Sequence, residues 1–514
     1  MKRWTKLLLM VCMVVAILPA VSVAARAADT SGACGDNLTW TFDEATGTLT
    51  IDGTGPMWDW KWDGTPWYDY HSAIKSVAIG NSVTSIGDCA FNFCDILIQV
   101  TIPNSVTCIG NRAFYWCYNL TKVAIPGSVT YIGEYAFEGT SLTEVTIPDS
   151  VASIGDRAFS GGDRLTNIAV DSNNPHYCSA DGVLFDKSKT ILIQYPTRKS
   201  AENYIIPDSV TSIAYWAFSY CSNLTEVTIP NSVTSIGYAV FYNCYSLTKV
   251  TIPDSITSIG DQAFYQCYSL TEVTIPDSIT SIGDAAFFGC ESLSQIIIPD
   301  SVASIGGSAF AGCKSLSQII IPDSVTSIGV CAFDSCTNLT EVAIPDSVTS
   351  IGDHAFYYCY SLTEVTIPDS VTSIGHQAFL DCYDLREITI GNGVTSIRKQ
   401  AFAGCGSLTD VYYIGTEAQW DAIDIASYND PLLNATIHYA FDPKTGAVFI
   451  PPLPEGAESA LIAAYAEGKL VCAVTGQVGN DNYIPLADQP DEIRIFYLYD
   501  NYQPVTGPDI IQLD

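Results

Sequence analysis

Positive charge and histidine are scarce in this chain. Its 514 residues carry 22 lysines and arginines against 55 aspartates and glutamates, a formal net charge of −33, with five histidines. So acidic a chain repels phosphate backbones and anionic lipid, which excludes nucleic acid and direct membrane association from the expected partners. His71, His176, His354, His376 and His438 are scattered, leaving little from which to build a histidine metal site or triad. No C-x-x-C pair and no G-x-S-x-G elbow occurs, so zinc, iron–sulfur and serine-hydrolase chemistry have no visible frame. Accordingly, no catalytic, cofactor or metal residues are assigned.

Long apolar runs are also lacking, with one short exception. After the basic start MKRWTK comes LLLMVCMVVAIL, well under the ~20 residues a membrane-spanning helix needs. Pro19 ends the run, and Ala25-Arg26-Ala27 offers a small-x-small cleavage pattern. Residues 1–27 are therefore expected to be a cleaved signal peptide. The mature chain would then be secreted, extracellular or non-covalently attached to a cell surface.

What is abundant is repetition. From about residue 76 to 415 one 23-residue sentence recurs, for example LTEVTIPDSITSIGDAAFFGCES from Leu270. A fixed period of 20–30 residues with regular aliphatics is the mark of a leucine-rich-type solenoid. Val-Thr-Ile suits a short strand, and the proline after it cannot donate to a ladder, so the strand stops there. Successive strands run the same way because more than a dozen residues separate them. Asp of IPDSV is expected to form a turn, and Asp of the later Gly-Asp-x-Ala-Phe to cap a short helical turn. Phenylalanine recurs in each coil and belongs to the core.

The fold class expected is mainly β. It comprises a leucine-rich-repeat solenoid of about thirteen 23-residue coils, a parallel sheet on the concave face and short helical turns on the convex side. At ~4.8 Å per strand the ladder would be roughly 60 Å long. The step from Pro148 to Pro207 exceeds one period by 36 residues, and turn residues separate two strand-like runs there, so a β-hairpin insertion is expected at about 170–205. The chain divides into a signal peptide at 1–27, an N-terminal β-rich capping module at 28–75, the solenoid at 76–407, a C-terminal capping coil at 408–440, and a linker with a small β-module at 441–514. In the last, a hairpin turning at Glu467-Gly468 and a further strand, DEIRIFYLYD, are expected.

Eighteen cysteines in an exported chain suggest disulfides. Eleven, however, fall in one column three residues after the phenylalanine, from Cys94 to Cys405. Neighbours in that column would lie ~4.8 Å apart with parallel side chains, a geometry no disulfide adopts. They are read as small buried core residues. Cys34, Cys89, Cys108, Cys178, Cys331 and Cys472 lie off the column and stay unassigned.

The repeat LTxVTIPxSVTSIGxxAFxxCxS resembles the BspA-like leucine-rich repeats, the class found in treponemal surface proteins. SGACGDNLTWTFDEATGTLTIDGTG resembles the module that often precedes such repeats, and LTDVYYIGTEAQWDAIDIASYNDPLLNATIHY the family's closing coil. The resemblance implies a secreted or surface-displayed bacterial protein with adhesion or host-component binding as its activity. It names no ligand and carries over no catalytic residue.

Three groups of residues are candidates for binding. Trp58, Trp60 and Trp62 alternate and in an extended segment would share one face, either as a plug over the open solenoid end or as a platform for a glycan. Tyrosines beside the cysteine column, among them Tyr242, Tyr265 and Tyr357, form either exposed stripes or rung-to-rung stacks. The third group is the residue before the buried valine, which alternates outward. In the last four coils this column reads Glu341, Glu364, Glu387 and Asp410, with no basic residue to interrupt it. Its expected partner is a basic surface on an extracellular protein, or weakly a divalent cation.

Overall fold

In the computed structural model, residues 30–439 are described in full; beyond them only strands between residues 441 and 512 are described, by their backbone. The expected signal peptide and the turn at Glu467-Gly468 lie outside the described residues.

The chain winds into a β-solenoid of about 16 turns of roughly 23 residues. The extra turns arise because the ends join the same ladder. At the N-terminus, strands Ser31–Gly35, Leu38–Asp43 and Thr48–Gly53 form an antiparallel meander whose last strand pairs in parallel with Ser76–Ile79. At the C-terminus, Asp410–Ile414 pairs in parallel with Thr436–Tyr439. Most coils carry two short strands rather than one. The Val-Thr-Ile strands pair in parallel along one face in several successive sheets, as in Glu364–Ile367 on Glu387–Gly391. The Ser-Ile pairs form a second, as in Ser350–Ile351 on Ser373–Ile374.

Polar residues of the repeat tie one coil to the next. Serine of the IP[DNG]S motif donates to a valine or isoleucine carbonyl of the preceding coil, as Ser255 Oγ does to Val233 at 2.6 Å. Threonine donates to the equivalent threonine carbonyl one coil back, as Thr248 Oγ1 does to Thr225 at 3.0 Å. Aspartate of Gly-Asp-x also works between coils. Asp284 Oδ1 accepts from the Gly307 N–H at 2.7 Å and Asp353 Oδ1 from the His376 N–H at 2.7 Å. The expectation that this aspartate caps a helix in its own coil is thus corrected.

The convex segment is a chain of turns, with no helix. Within a coil, Ala90 N–H donates to Gly87, Asn92 to Cys89 and Cys94 to Phe91, while the alternate N–H groups of Cys89, Phe91 and Phe93 donate to the next coil. A helix would have kept all of these within the coil. The alternation requires left-handed backbone at the x of Gly-Asp-x-Ala-Phe, where thirteen non-glycine residues from Cys89 to Gln400 have φ of 51–63°. Such a conformation costs roughly 1 kcal/mol for a residue with a Cβ. Ala285 (φ 51°), only half-buried, is one of them, and Ala285→Gly should raise stability by about 1 kcal/mol in denaturant unfolding.

Phenylalanines stack through the core at 5.1–5.6 Å between ring centroids, as from Phe241 through Phe264, Phe287, Phe310 and Phe333 to Phe356. The column cysteines are buried free thiols. They do more than fill space: Cys267 Sγ donates to the Phe241 carbonyl at 3.1 Å and Cys313 Sγ to Phe287 at 3.3 Å, one coil back. Burial pushes the Cys313 thiol up to about 12, so this sulfur stays protonated and resists oxidation. Mass spectrometry of the non-reduced, alkylated, unfolded protein should find Cys244 and Cys267 unlinked; a bond between them would contradict the stacked geometry.

The insertion contains strands Tyr177–Ala180, Val183–Asp186 and Ile191–Gln194, antiparallel in succession. The third then pairs in parallel with Ser212–Ile213, so the extra residues rejoin the solenoid as a modified coil. Tyr195 takes the phenylalanine place, stacked at 5.2 Å on Phe218. In the C-terminal region Ser459–Ala466 pairs antiparallel with Lys469–Gly476 and with Glu492–Leu498, the hairpin and further strand read from the sequence.

Candidate interaction surfaces

The acidic column is brought into register. Glu364 sits opposite Glu387, and Glu387 opposite Asp410, on adjacent parallel strands; Gln318 is opposite Glu341. Glu364 is exposed while Glu341, Glu387 and Asp410 are half-buried. Burial raises the Glu387 carboxyl above its usual range, followed by the hydrogen bond and charge of neighbouring Glu364. Asp410 is different: a hydrogen bond from His438 holds it below the usual carboxylate range. His438 Nε2 lies 2.8 Å from Asp410 Oδ1. The column is therefore not free of basic neighbours, since the final coil folds His438 back across its end. Farther up, Lys249 and Glu272 approach to 3.7 Å. Among the described residues, no group of three or more histidines, cysteines or acids is arranged to hold a metal ion.

The three tryptophans do not form one platform. Trp58 is 45% exposed and its Nε1 donates to Asp36 at 3.1 Å. Trp60 is half-buried, edge-on to the core residue Trp67 at 5.1 Å. Trp62, 46% exposed, turns to the convex side against Phe93 and Tyr115 at 4.9 and 5.1 Å. The segment ends in a turn after Trp60, so period-two alternation fails. From Trp62 an aromatic band continues through Tyr115 and Trp116 to exposed Tyr118.

Tyr242 and Tyr265 stack from rung to rung, whereas Tyr357 packs within its own coil. Tyr242 lies flat on Tyr265 at 4.7 Å, and Tyr265 on Phe288 at 4.7 Å. Tyr357 packs on Tyr358 at 3.9 Å. All three candidates are half-buried; the exposed tyrosines next to the column cysteines are Tyr118, Tyr245, Tyr268, Tyr360 and Tyr383.

One polar cluster was not anticipated. Where the coil ladder meets the insertion, buried Glu138 forms an ion pair with Arg157. The Arg157 guanidinium lies 3.6 Å over the Trp216 ring and 5.1 Å from that of Tyr135, which Arg112 covers at 4.3 Å. Burial outweighs both guanidiniums and lifts the Glu138 carboxyl to about 7. Glu138 Oε2 and Arg157 Nε have no hydrogen-bond partner. The only sequence cue was the short loop Glu138-Gly139-Thr140, which interrupts the cysteine column.

Comparison with known proteins agrees with this architecture. The family model for the BspA type leucine rich repeat region matches six copies, over residues 67–180, 195–317 and 304–421. A leucine-rich repeat protein from Eubacterium ventriosum is 30% identical, covering 64% of this chain and 94% of its own, with a TM-score of 0.58. One from Bacteroides ovatus is 26% identical, covering 79% and 98%, with a TM-score of 0.48. A leucine rich cell surface protein from Faecalibacterium prausnitzii is 24% identical, covering 78% and 98%, with a TM-score of 0.33. No curated protein matches at a comparable level. With two-strand coils, a stacked phenylalanine core and the family's repeat over most of its length, this chain belongs to the BspA-type leucine-rich repeat family.

Proposed function

We propose that the protein is a secreted or surface-associated, non-catalytic binding scaffold whose strand face takes a basic surface of an extracellular protein. The observation carrying this reading is the in-register stack of Glu364, Glu387 and Asp410 on a chain of net charge −33. Like charges on adjacent strands repel by about 0.9 kcal/mol per pair in water. A basic partner relieves that repulsion, speeds encounter and makes binding fall with salt. Replacing Glu341, Glu364 and Glu387 together with glutamine should weaken binding to a matrix-protein array hit about tenfold and flatten its salt dependence. Folding stability should rise, by up to about 0.9 kcal/mol for each repulsive pair removed. Unchanged affinity and salt slope would reduce the column to a solvated face.

A glycan is the second reading, favoured by the exposed convex band from Trp62 to Tyr118. Hits confined to polysaccharides, and lost on Trp62→Ala or Trp116→Ala but not on the glutamine changes, would establish it.

A further inference from the structure

Each Val-Thr-Ile strand has a second outward column, two residues after the acidic one. Most coils place threonine or alanine there, such as Thr251, Ala343 and Thr366. Two consecutive coils depart from this. Ile297 and Ile320 stand 84% and 74% exposed, a degree of exposure seldom left to two neighbouring isoleucines. Their coils are joined by the Ser317 N–H donating to Ser294 at 3.3 Å, and Ile320 is in register with Ala343. Strand formation does not demand isoleucine here, because threonine serves the same column elsewhere and is equally β-branched. Ile205 is also 74% exposed, but its neighbour in register is Thr228, so it makes no patch.

Charge follows a complementary arrangement. Beside the isoleucines the first column carries the uncharged Gln295 and Gln318; acids begin one coil later, at Glu341. Glu272 stands one coil before them, so the apolar anchor has no charge of this column within its own two coils, and an acidic rail runs on from it to Asp410.

We propose that this face docks an amphipathic, cationic polypeptide segment of another protein, with Ile297 and Ile320 taking its apolar side chains and the acidic column its lysines or arginines. The proposal rests on the reading that the acidic face meets a basic partner, and adds the partner's apolar character. A second copy of the chain fits poorly, since face-to-face pairing sets acid against acid. A glycan would find no ring in the second outward column between Ile297 and Thr389, and an anionic lipid surface is repelled.

The test compares two synthetic peptides of equal charge, one alternating lysine and leucine and the other oligolysine, by fluorescence anisotropy. Wild-type protein should prefer the lysine–leucine peptide by about 30-fold. Ile297→Thr with Ile320→Thr, which only restores the repeat's usual residue, should reduce that preference to about threefold or less while leaving oligolysine binding intact. The triple glutamine variant should weaken both. Equal binding of the two peptides by wild type, or a preference kept by the threonine variant, overturns the apolar anchor and leaves the charge reading standing. Absence of binding to either peptide overturns both. A wild-type dimer in sedimentation that the threonine variant abolishes would assign the patch to self-association and overturn the proposal.

Discussion

Arg157→Ala should destabilise the protein by about 3–5 kcal/mol at pH 8, because it strands a buried carboxylate. The loss has three parts. Glu138 keeps its burial but loses its ion-pair partner, and Trp216 and Tyr135 lose the guanidinium packed on them. The pH dependence gives the mechanism away. The Glu138 carboxyl is raised to about 7 in the fold, above its ordinary value of 4.5. A group raised on folding contributes stability in full below its unfolded value and loses it as pH rises through the folded one. The Arg157→Ala defect should therefore shrink markedly at pH 5, where Glu138 takes up a proton instead of remaining charged. Glu138→Gln should remove the stability slope that this group contributes between about pH 4.5 and 7. Urea unfolding of wild type and both variants at pH 5 and pH 8 decides it. An Arg157→Ala defect equal at both pH values would mean that lost packing, not the stranded charge, is responsible.

Gly375→Ala should cost about 3 kcal/mol, whereas Gly127→Ala should change stability by less than about 0.5 kcal/mol. Gly375 follows the Ser-Ile strand, and a Cβ there would meet the carbonyl carbon and oxygen of Gly352 at 2.5 Å. Those atoms are backbone of the adjacent coil, so relief requires the coils to separate. Separation would strain the bond from Gly375 N–H to Ile351 at 3.0 Å. Gly127, in the IP[DNG]S turn, has nothing within 4 Å of its would-be Cβ. Thermal unfolding of the two variants reads the difference, and equal effects would contradict the close approach of coils at the glycine column.

The repeating part of the fold was legible because repetition converts sequence position into spatial column. One phenylalanine every 23 residues becomes a stack; one cysteine, a row of buried thiols; the acids of the last coils, a registered ladder. Polar detail was harder. Aspartate of Gly-Asp-x was read as a local cap because propensity describes a residue's own segment, whereas here the neighbouring coil supplies a nearer donor. The convex turns share their hydrogen bonds with a neighbour for the same reason: every second N–H finds a carbonyl in the next coil.

Sequence by itself determined the coil period, the parallel stacking, the buried columns and the composition of the outward acidic column, since each depends only on a residue's place within one repeat. Tertiary structure alone decided which irregular residues meet. Arg157 reaches Trp216 across the modified coil of the insertion, where the coils on either side approach, as the 2.5 Å contact of Ser160 and Ser219 hydroxyls records. His438 reaches Asp410 because the last coil closes over the ladder. Trp58, Trp60 and Trp62 part company because their segment turns at the solenoid's edge. Such contacts join positions that no shared period relates, and so they follow from how the chain packs rather than from any pattern along it.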